Sequence, residues 1–240
     1  MRYAIISDIH ANLEALERSL GAIDEVGVDE ILCLGDIVGY GANPNECVDL
    51  VRKRGVTSII GNHDCVACGK SEPNDFNPMA RSAILWTRST LSRANKDYLL
   101  DLPDKREIED LLIVHGAISD PDKYIFSEGD TLREFELMKN CNICFFGHTH
   151  VRVFYVLTDD EIRGFYDDGL RINKDGKYLI NPGSVGQPRD RDHRVSFLIY
   201  DDERETVEYS RLEYDIASAQ KKIIEAGLDT RLAYRLSLGI

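Results

Sequence analysis

Five short apolar stretches of this chain each lead into side chains that can bind metal ions. They are residues 3–6 before Asp8 and His10, 31–34 before Asp36, 58–60 before Asn62, His63 and Asp64, 111–114 before His115, and 143–146 before His148 and His150. Five of the six histidines of the protein lie at these exits. One strand that ends in a polar residue would only show where it meets water. Five in succession indicate a site.

The stretches are of the kind that forms buried strands, because they are short and rich in Ile, Val and Leu. Ligands of open α/β sheets collect at the carboxyl ends of the strands. We therefore expect these polar groups to converge on one edge of one sheet. Glycines follow several stretches, at Gly35, Gly61, Gly116 and Gly147, where a chain leaving a strand needs a sharp bend.

The donors are too numerous for one tetrahedral zinc site with an open position. There are seven: Asp8, His10, Asp36, Asn62, His115, His148 and His150. Two ions sharing one carboxylate would use them all. Paired ions roughly 3.5–4 Å apart hold the attacking and leaving oxygens of a phosphoryl centre, and they lower the pKa of bound water toward about 7, which supplies hydroxide as a nucleophile. Imidazole, carboxylate and amide oxygen together suit Mn, Fe, Zn, Co or Ni.

In this order, the motifs resemble those of the calcineurin-like metallophosphoesterases. They are Ser-Asp8-Ile-His10, Gly-Asp36-Ile-Val, Gly-Asn62-His63-Asp64, Val-His115-Gly and Gly-His148-Thr-His150. A later Asn-Pro-Gly-Ser-Val-Gly-Gln-Pro-Arg-Asp segment, residues 181–190, looks like the bacterial and archaeal phosphodiesterase branch of that family. The resemblance implies a single α/β domain over 1–240, a sandwich of two packed mixed β-sheets flanked by helices.

The resemblance also implies a role for each site residue. Asp8, His10 and His150 would hold the first metal, Asn62, His115 and His148 the second, and Asp36 would bridge both. His63 would stay unbound and donate a proton to the leaving group, an effect typically worth about 10²–10⁴ in rate. Asp64 would fix the tautomer of that ring. The alternative for His63 is an extra ligand or a capped loop histidine.

Two departures from relatives favour phosphodiesters. The protein-phosphatase and dinucleoside-polyphosphate hydrolase branches carry a phosphate-binding arginine in the turn after the bridging Asp, whereas residues 35–41 here read Gly-Asp-Ile-Val-Gly-Tyr-Gly. This turn should leave room for a second ester substituent. Protein phosphatases also have Glu where this chain has Asp64. Tyr40, in the same turn, could stack on a base or sugar, although packing beside the glycines is the commoner role.

Three functions follow as hypotheses. The leading one is two-metal hydrolysis of a small phosphodiester, such as a cyclic or linear nucleotide. The second is a phosphomonoesterase, including a protein phosphatase, on the same site. The third is a protein-binding scaffold, like the eukaryotic retromer subunit that keeps this fold without key site residues. Because this chain retains every donor and His63, the scaffold is the least favoured.

Size, charge and cysteine content limit the number of domains, the kinds of partner and the compartment that we expect. A length of 240 residues fits one domain, and a net charge of -13 argues against duplex nucleic acid as a partner. The first apolar stretch is short and no membrane segment follows, so we expect a cytoplasmic protein without membrane contact. There the six cysteines would stay thiols. The pairs at 65 and 68 and at 141 and 144 are too far apart for a zinc ribbon.

The remaining patterns predict helices over about 12–25, 44–54, 77–101 and 131–139 and from Ile216 onward. Residues 77–101 could cap the cleft or simply cover a sheet. Alternating strands at about 151–157, 178–180, 195–200 and 206–211 should form a second sheet on the first. Arg189 could reach the phosphate, but residues 189–194, including His193, are expected as a solvated loop. The last helix could close the core or form the seam of a homo-oligomer.

Overall fold

The computed structural model of the protein describes residues 1–240 as a layered α/β structure with twelve strands and eight helices. The strands are β1 (Arg2–Ile6), β2 (Glu30–Cys33), β3 (Thr57–Ser58), β4 (Lys105–Ile108), β5 (Leu111–Val114), β6 (Ile143–Phe145), β7 (Arg152–Thr158), β8 (Glu161–Phe165), β9 (Gly169–Arg171), β10 (Lys177–Pro182), β11 (Val195–Asp201) and β12 (Thr206–Leu212).

The helices are α1 (Leu13–Val26), α2 (Pro44–Lys53), α3 (Asn62–Cys68), α4 (Pro78–Thr90), α5 (Arg93–Leu100), α6 (Glu128–Leu137), α7 (Ile216–Glu225) and α8 (Thr230–Leu236). Asn12 caps α1, as its side chain accepts a hydrogen bond from the N–H of Ala15. None of the helices is long and apolar enough to span a bilayer.

The strands form two mixed sheets of six. The first has the order β3-β2-β1-β11-β12-β9 and the second the order β4-β5-β6-β10-β7-β8. In the first sheet β1, β2 and β3 are parallel and β11 pairs antiparallel with β1. In the second, β5, β6 and β10 are parallel. The expected sandwich of two packed mixed sheets flanked by helices is confirmed.

The period of two along each strand divides the core into layers. Tyr3 and Ile5 of β1 face the second sheet, where they join a buried cluster with Ile113 and Phe145. Ala4 and Ile6 face the other way and pack in the cluster under α1 and α2. A third buried cluster lies between the second sheet and α6.

The five motif-bearing strands do not share one sheet, contrary to expectation. β1, β2 and β3 belong to the first sheet, and β5 and β6 to the second. Because each group is parallel and the two sheets are stacked, the carboxyl ends still meet at one edge of the sandwich. The grouping of the later strands was also wrong. β10 and β7 continue the second sheet beyond β6. β11 pairs antiparallel with the edge of β1 that β2 does not occupy, and β12 follows β11 in the first sheet.

Two regions that the periodicity predicted as one helix each form two helices. Residues 77–101 form α4 and α5, separated where the Ser92 hydroxyl caps the second helix through the N–H of Asn95. The C-terminal region forms α7 and α8, which pack against each other and against α4 through residues such as Ile223 and Leu232. The last helices therefore close this side of the core.

Candidate metal centre

The strand exits carry strained backbone. Asp8, His10, Asp36, His148 and His150 all have φ between 49 and 66°, in the left-handed region that non-glycine residues rarely adopt. Each such residue costs on the order of 1–3 kcal/mol, and strain of this kind persists where the surrounding structure fixes it, typically at functional sites. The bends turn consecutive side chains toward one point.

The first group of donors consists of Asp8, His10 and His150. Nε2 of His10 lies 3.0 Å from Nε2 of His150, which in turn lies 3.2 Å from Oδ1 of Asp8. All three residues are buried. Oδ1 of Asp8 has no hydrogen-bond partner, while its Oδ2 accepts from the Ser7 hydroxyl at 2.6 Å and the N–H of His148 at 3.1 Å.

The second group consists of Asn62, His115 and His148. Nε2 of His115 lies 3.1 Å from Oδ1 of Asn62 and 3.2 Å from Nδ1 of His148. Asn62 is the first residue of α3, so the start of this helix delivers an amide oxygen from the first sheet to histidines of the second.

Asp36 lies between the two groups. Its Oδ2 is 3.6 Å from Nε2 of His10 and 3.4 Å from Nε2 of His115, and its Oδ1 accepts from the N–H of His63 at 2.9 Å. A Cβ atom on Gly61 would lie 2.1 Å from Oδ1 of Asp36. Glycine at this exit is therefore required by the close approach of the carboxylate, and not only by a bend.

Each histidine of the two groups is held by a main-chain carbonyl. The ring nitrogens that face away from the centre lie 3.1 Å from the oxygen of Val38 for His10, 2.8 Å from Leu34 for His115, 3.1 Å from Asp122 for His148 and 2.6 Å from Gln187 for His150. A carbonyl oxygen only accepts, so these nitrogens must donate. In a neutral ring, the nitrogen that faces the centre is then a bare acceptor.

The ring nitrogens and carboxylate oxygens that face the centre therefore lie at about hydrogen-bond distance from one another with no hydrogen atom between them. Such an arrangement requires positive charge. Burial lowers the pKa of His10, His150 and His148, the last to about 3. Burial also acts on His115, but Asp36 and Asp8 outweigh it and raise the pKa of His115 to about 10. A proton there, or a metal cation in its place, would balance the carboxylates. The donor set fits divalent ions in both groups.

His63 is buried beside the donors, and its ring packs among aromatic neighbours. Ring centroids of Tyr40, Phe76 and His10 lie 4.5, 4.7 and 4.8 Å away, and Nδ1 has no hydrogen-bond partner. Burial, with a contribution from the charge of Arg189, lowers the pKa of His63 to about 4. The ligand atoms of His63, His10 and Asp36 also lie within 4.8 Å of one another, which is the spacing that its alternative role as an extra ligand requires.

The expected hydrogen bond between Asp64 and the His63 ring is absent, and that interpretation was wrong. The Asp64 carboxylate accepts instead from the main-chain N–H groups of Ile37, Val38 and Gly61, at 3.0 to 3.2 Å. As the third residue of α3, it points back toward the helix start, as in a capping box. Burial and the charge of Asp36 raise the pKa of Asp64 to about 7, against these hydrogen bonds. Asp64 thus ties the exit of β2 to the start of α3.

A cleft of about 480 Å³ opens beside His63, Asn62 and His148. Aromatic side chains line it: Phe76, from the loop before α4, and Tyr124, whose ring stacks on His148 at 4.1 Å and on Phe126 at 5.4 Å. The loop before α4 therefore shapes the cleft, while the body of α4 packs against the C-terminal helices.

The turn at residues 39–41 is closely packed around its two glycines, and Tyr40 contributes to the wall of the cleft. Tyr40 is buried and packs on the rings of His10 and His63. A Cβ atom on Gly39 would lie 2.4 Å from Nδ1 of His63. Open space lies in the cleft, toward Phe76 and Tyr124.

Arg189 does not belong to a solvated loop. Its guanidinium lies over the Tyr40 ring, 5.8 Å from the centroid, and Arg235 of α8 lies over the same ring at 5.9 Å. Sequence reasoning missed Arg235, because no pattern links it to the motifs. His193 is partly exposed and pairs with Glu213, away from the groups of potential metal ligands.

The two cysteine pairs do not meet at a metal site. Cys65 and Cys68 pack with the cluster under α1, whereas Cys141 and Cys144 pack with the cluster beside α6. Burial raises the pKa of all four, which keeps them as thiols. No cysteine takes part in a group of potential metal ligands.

Comparison with known proteins agrees with this geometry. Residues 1–205 match the model of the calcineurin-like phosphoesterase superfamily domain, and the chain belongs to this family. A metallophosphoesterase from Sphaerobacter thermophilus has the same fold with a TM-score of 0.87 and 41% identity, over 100% of this chain and 99% of the other. The protein is therefore a metal-dependent hydrolase of phosphoric esters.

Two archaeal proteins are also similar. An uncharacterised protein of Methanocaldococcus jannaschii is 38% identical over 98% of this chain and 97% of its own length. The structure of a hypothetical protein from Pyrococcus horikoshii aligns over 100% of this chain and 98% of that one, with a TM-score of 0.83 and 19% identity, and shows the shared fold. The similarity thus extends through the C-terminal helices.

Proposed function

We propose that the protein is a two-metal phosphodiesterase that acts on small phosphodiesters, such as cyclic or linear nucleotides. The observation that carries this proposal is the convergence of two acceptor groups on one shared carboxylate, that of Asp36. Asp8, His10 and His150 would hold one ion and Asn62, His115 and His148 the other. Two divalent ions so placed activate water and neutralise the phosphoryl oxygens.

The protein's own residues would orient the substrate. The main-chain carbonyls that hold the four histidine rings fix the direction of each ligand lone pair before substrate arrives. His63 is the histidine of the cleft that neither proposed metal site uses, and its position suits a hydrogen bond to the leaving oxygen. Tyr124 offers a flat face for a planar substituent such as a nucleobase, because the residue is 43% exposed and its ring is already stacked on His148.

The charge around the cleft supports diesters over monoesters. Carboxylates of Glu72, Asp75, Asp104 and Asp122 line it. A diester carries one negative charge at neutral pH and a monoester close to two, so these carboxylates repel the monoester more strongly. A phosphorylated peptide would meet the same repulsion. The aromatic wall provides apolar contact for the second ester group, which a monoester lacks.

The test compares substrate classes under one manganese condition. Bis-nitrophenyl phosphate, 2′,3′-cyclic nucleotides, nitrophenyl phosphate and a phosphopeptide are assayed as kcat/KM, the ratio that reports transition-state discrimination. Protein with Asp36→Asn, purified in parallel, measures contaminating phosphatase. We expect the diesters to be cleaved faster. Faster cleavage of the monoester or the phosphopeptide would overturn the diesterase assignment in favour of a phosphomonoesterase.

A further inference from the structure

Two arginines from distant parts of the chain meet on one aromatic ring at the metal centre. Arg189 follows β10 and Arg235 lies in α8, and their guanidinium carbons lie 5.8 and 5.9 Å from the centroid of the Tyr40 ring. The helix α8 lies beyond the residues 1–205 that match the family domain. The C-terminal helices therefore bring a cation to a site built mainly by the family domain.

Neither guanidinium has an acidic side chain as partner. Arg189 donates from Nη2 to the Gln187 side-chain oxygen at 3.0 Å, and its buried Nε has no partner. Arg235 donates from Nε to an oxygen of Ile240, the last residue of the sequence, and its two Nη groups make no hydrogen bond. Arg231, one turn earlier on the same helix, pairs with Asp229. In a chain with 42 acidic and 29 basic side chains, two neighbouring arginines that pair with none of the acidic side chains are not expected from composition.

The two positive charges disfavour each other. Burial and the charge of Arg189 lower the pKa of Arg235 to about 10, so Arg235 still carries its charge at neutral pH. Partly buried like charges repel, and the aromatic face of Tyr40 offsets only part of this repulsion. An anion placed against both guanidiniums would remove it and would gain charge-assisted hydrogen bonds.

The arginine pair is fixed relative to the metal centre. The N–H of Arg189 donates to the main-chain oxygen of His150 at 3.1 Å, and His150 donates its Nδ1–H to the main-chain oxygen of Gln187 at 2.6 Å. Tyr40 itself packs on His10 and His63. Neither guanidinium hydrogen-bonds to a candidate metal ligand, and the Tyr40 ring that both of them contact also lines the cleft.

Resting on the proposed function, we propose that Arg189 and Arg235 form a second anion site that binds a phosphate group of the substrate other than the scissile one. Two guanidiniums match the charge and the several oxygens of a phosphate monoester better than those of a carboxylate. The favoured substrates are then nucleotide diesters that carry one further terminal phosphate. The site selects them by a local positive charge beside an otherwise acidic cleft.

The test uses two substrates that differ by one phosphate. Thymidine 5′-(nitrophenyl phosphate), with and without a 3′-phosphate, has the same leaving group in both forms. We expect the manganese-loaded wild type to prefer the 3′-phosphorylated form by about tenfold in kcat/KM, mainly through KM. Arg235→Ala and Arg189→Ala should lose this preference, and Arg235→Lys should keep part of it. Arg231→Ala, exposed on the same helix, should behave as wild type.

Other outcomes decide against the inference. Equal losses on both substrates would place the arginines at the scissile phosphate or in a purely structural role, and a wild type without preference would rule the second site out. If the wild type cleaves neither diester, the proposed function fails, and calorimetry then tests the anion site separately. Thymidine 3′,5′-bisphosphate should bind about tenfold more tightly than thymidine 5′-monophosphate, and Arg235→Ala should abolish the difference; equal affinities would overturn the proposal.

Discussion

The metal centre and the rim of the cleft are built on different principles. At the metal centre, the histidine rings are buried and held by main-chain carbonyls, and five of the donors lie on left-handed backbone. At the rim, Phe76 and Tyr124 come from loops, and beside it Arg189, from a loop, and Arg235, from the last helix, lie over the Tyr40 ring. Tyr124 is 43% exposed, and neither arginine pairs with an acidic side chain.

The difference separates the chemistry from the choice of substrate. Strand exits are rigid because the sheets behind them are packed on both faces, so they can hold donors at fixed distances. Loops and terminal helices can change without disturbing those distances, and they are where binding specificity commonly resides. Changes at the centre should therefore alter metal content and turnover, whereas changes at the rim should alter the ranking of substrates.

The largest effect is expected from Asp36→Asn. The amide would keep one oxygen but lose the charge that faces both groups of donors, so both ions should bind more weakly. Elemental analysis of wild type purified without chelator should approach two transition metals per chain, and the variant should fall well below this, with loss of hydrolysis.

Asp104→Asn is the matched control. It makes the same chemical change to a carboxylate of the cleft that pairs with Lys70 away from the donors. It should keep its metals. A wild type that remains near one metal per chain after manganese loading would defeat the two-metal arrangement.

His63→Ala tests the boundary between the centre and the rim. Seven donors already account for both metals, so the variant should keep them and lose about 10²–10⁴ in turnover. The loss should be smaller for a nitrophenyl ester than for a nucleotide, because a good leaving group needs less proton donation. His193→Ala, an exposed histidine, should match wild type in both measurements.

Metal analysis of the same variant distinguishes the two roles of His63. If His63→Ala loses an ion, the group formed by His10, Asp36 and His63 is a metal site, and the assignment of donors must be redrawn.

The smallest effect is expected from Asp64→Asn. The new amide would place a donor against main-chain N–H groups that now donate to the carboxylate. We expect the free energy of unfolding to fall by about 1–3 kcal/mol, measured by urea denaturation. Turnover of the metal-loaded variant should fall by about tenfold at most. Because Asp64 does not contact the His63 ring, the decrease in turnover should be the same in a His63→Ala background. A decrease that vanishes there would restore the role of orienting His63.

The sequence by itself determined the candidate donors and the class of chemistry. Metal ligation requires particular side chains, and the exit of a buried strand is a local pattern, so Asp8, Asp36 and the paired histidines could be located before any fold was known. The same pattern predicted β1, β2, β5 and β6, and the family resemblance implied the sandwich of two sheets.

Only the tertiary structure decided which sheet each strand joins, what Asp64 binds and where Arg189 and Arg235 lie. β1 pairs with β11 across almost the whole length of the chain, and no local periodicity encodes such a pairing. Asp64 lies next to His63 in sequence, yet its helical position turns it toward the main chain of Ile37 and Val38. Residues that are adjacent in sequence need not interact. Hydrogen bonds and ion pairs depend on distance and direction in space, and only the packing of the chain sets these.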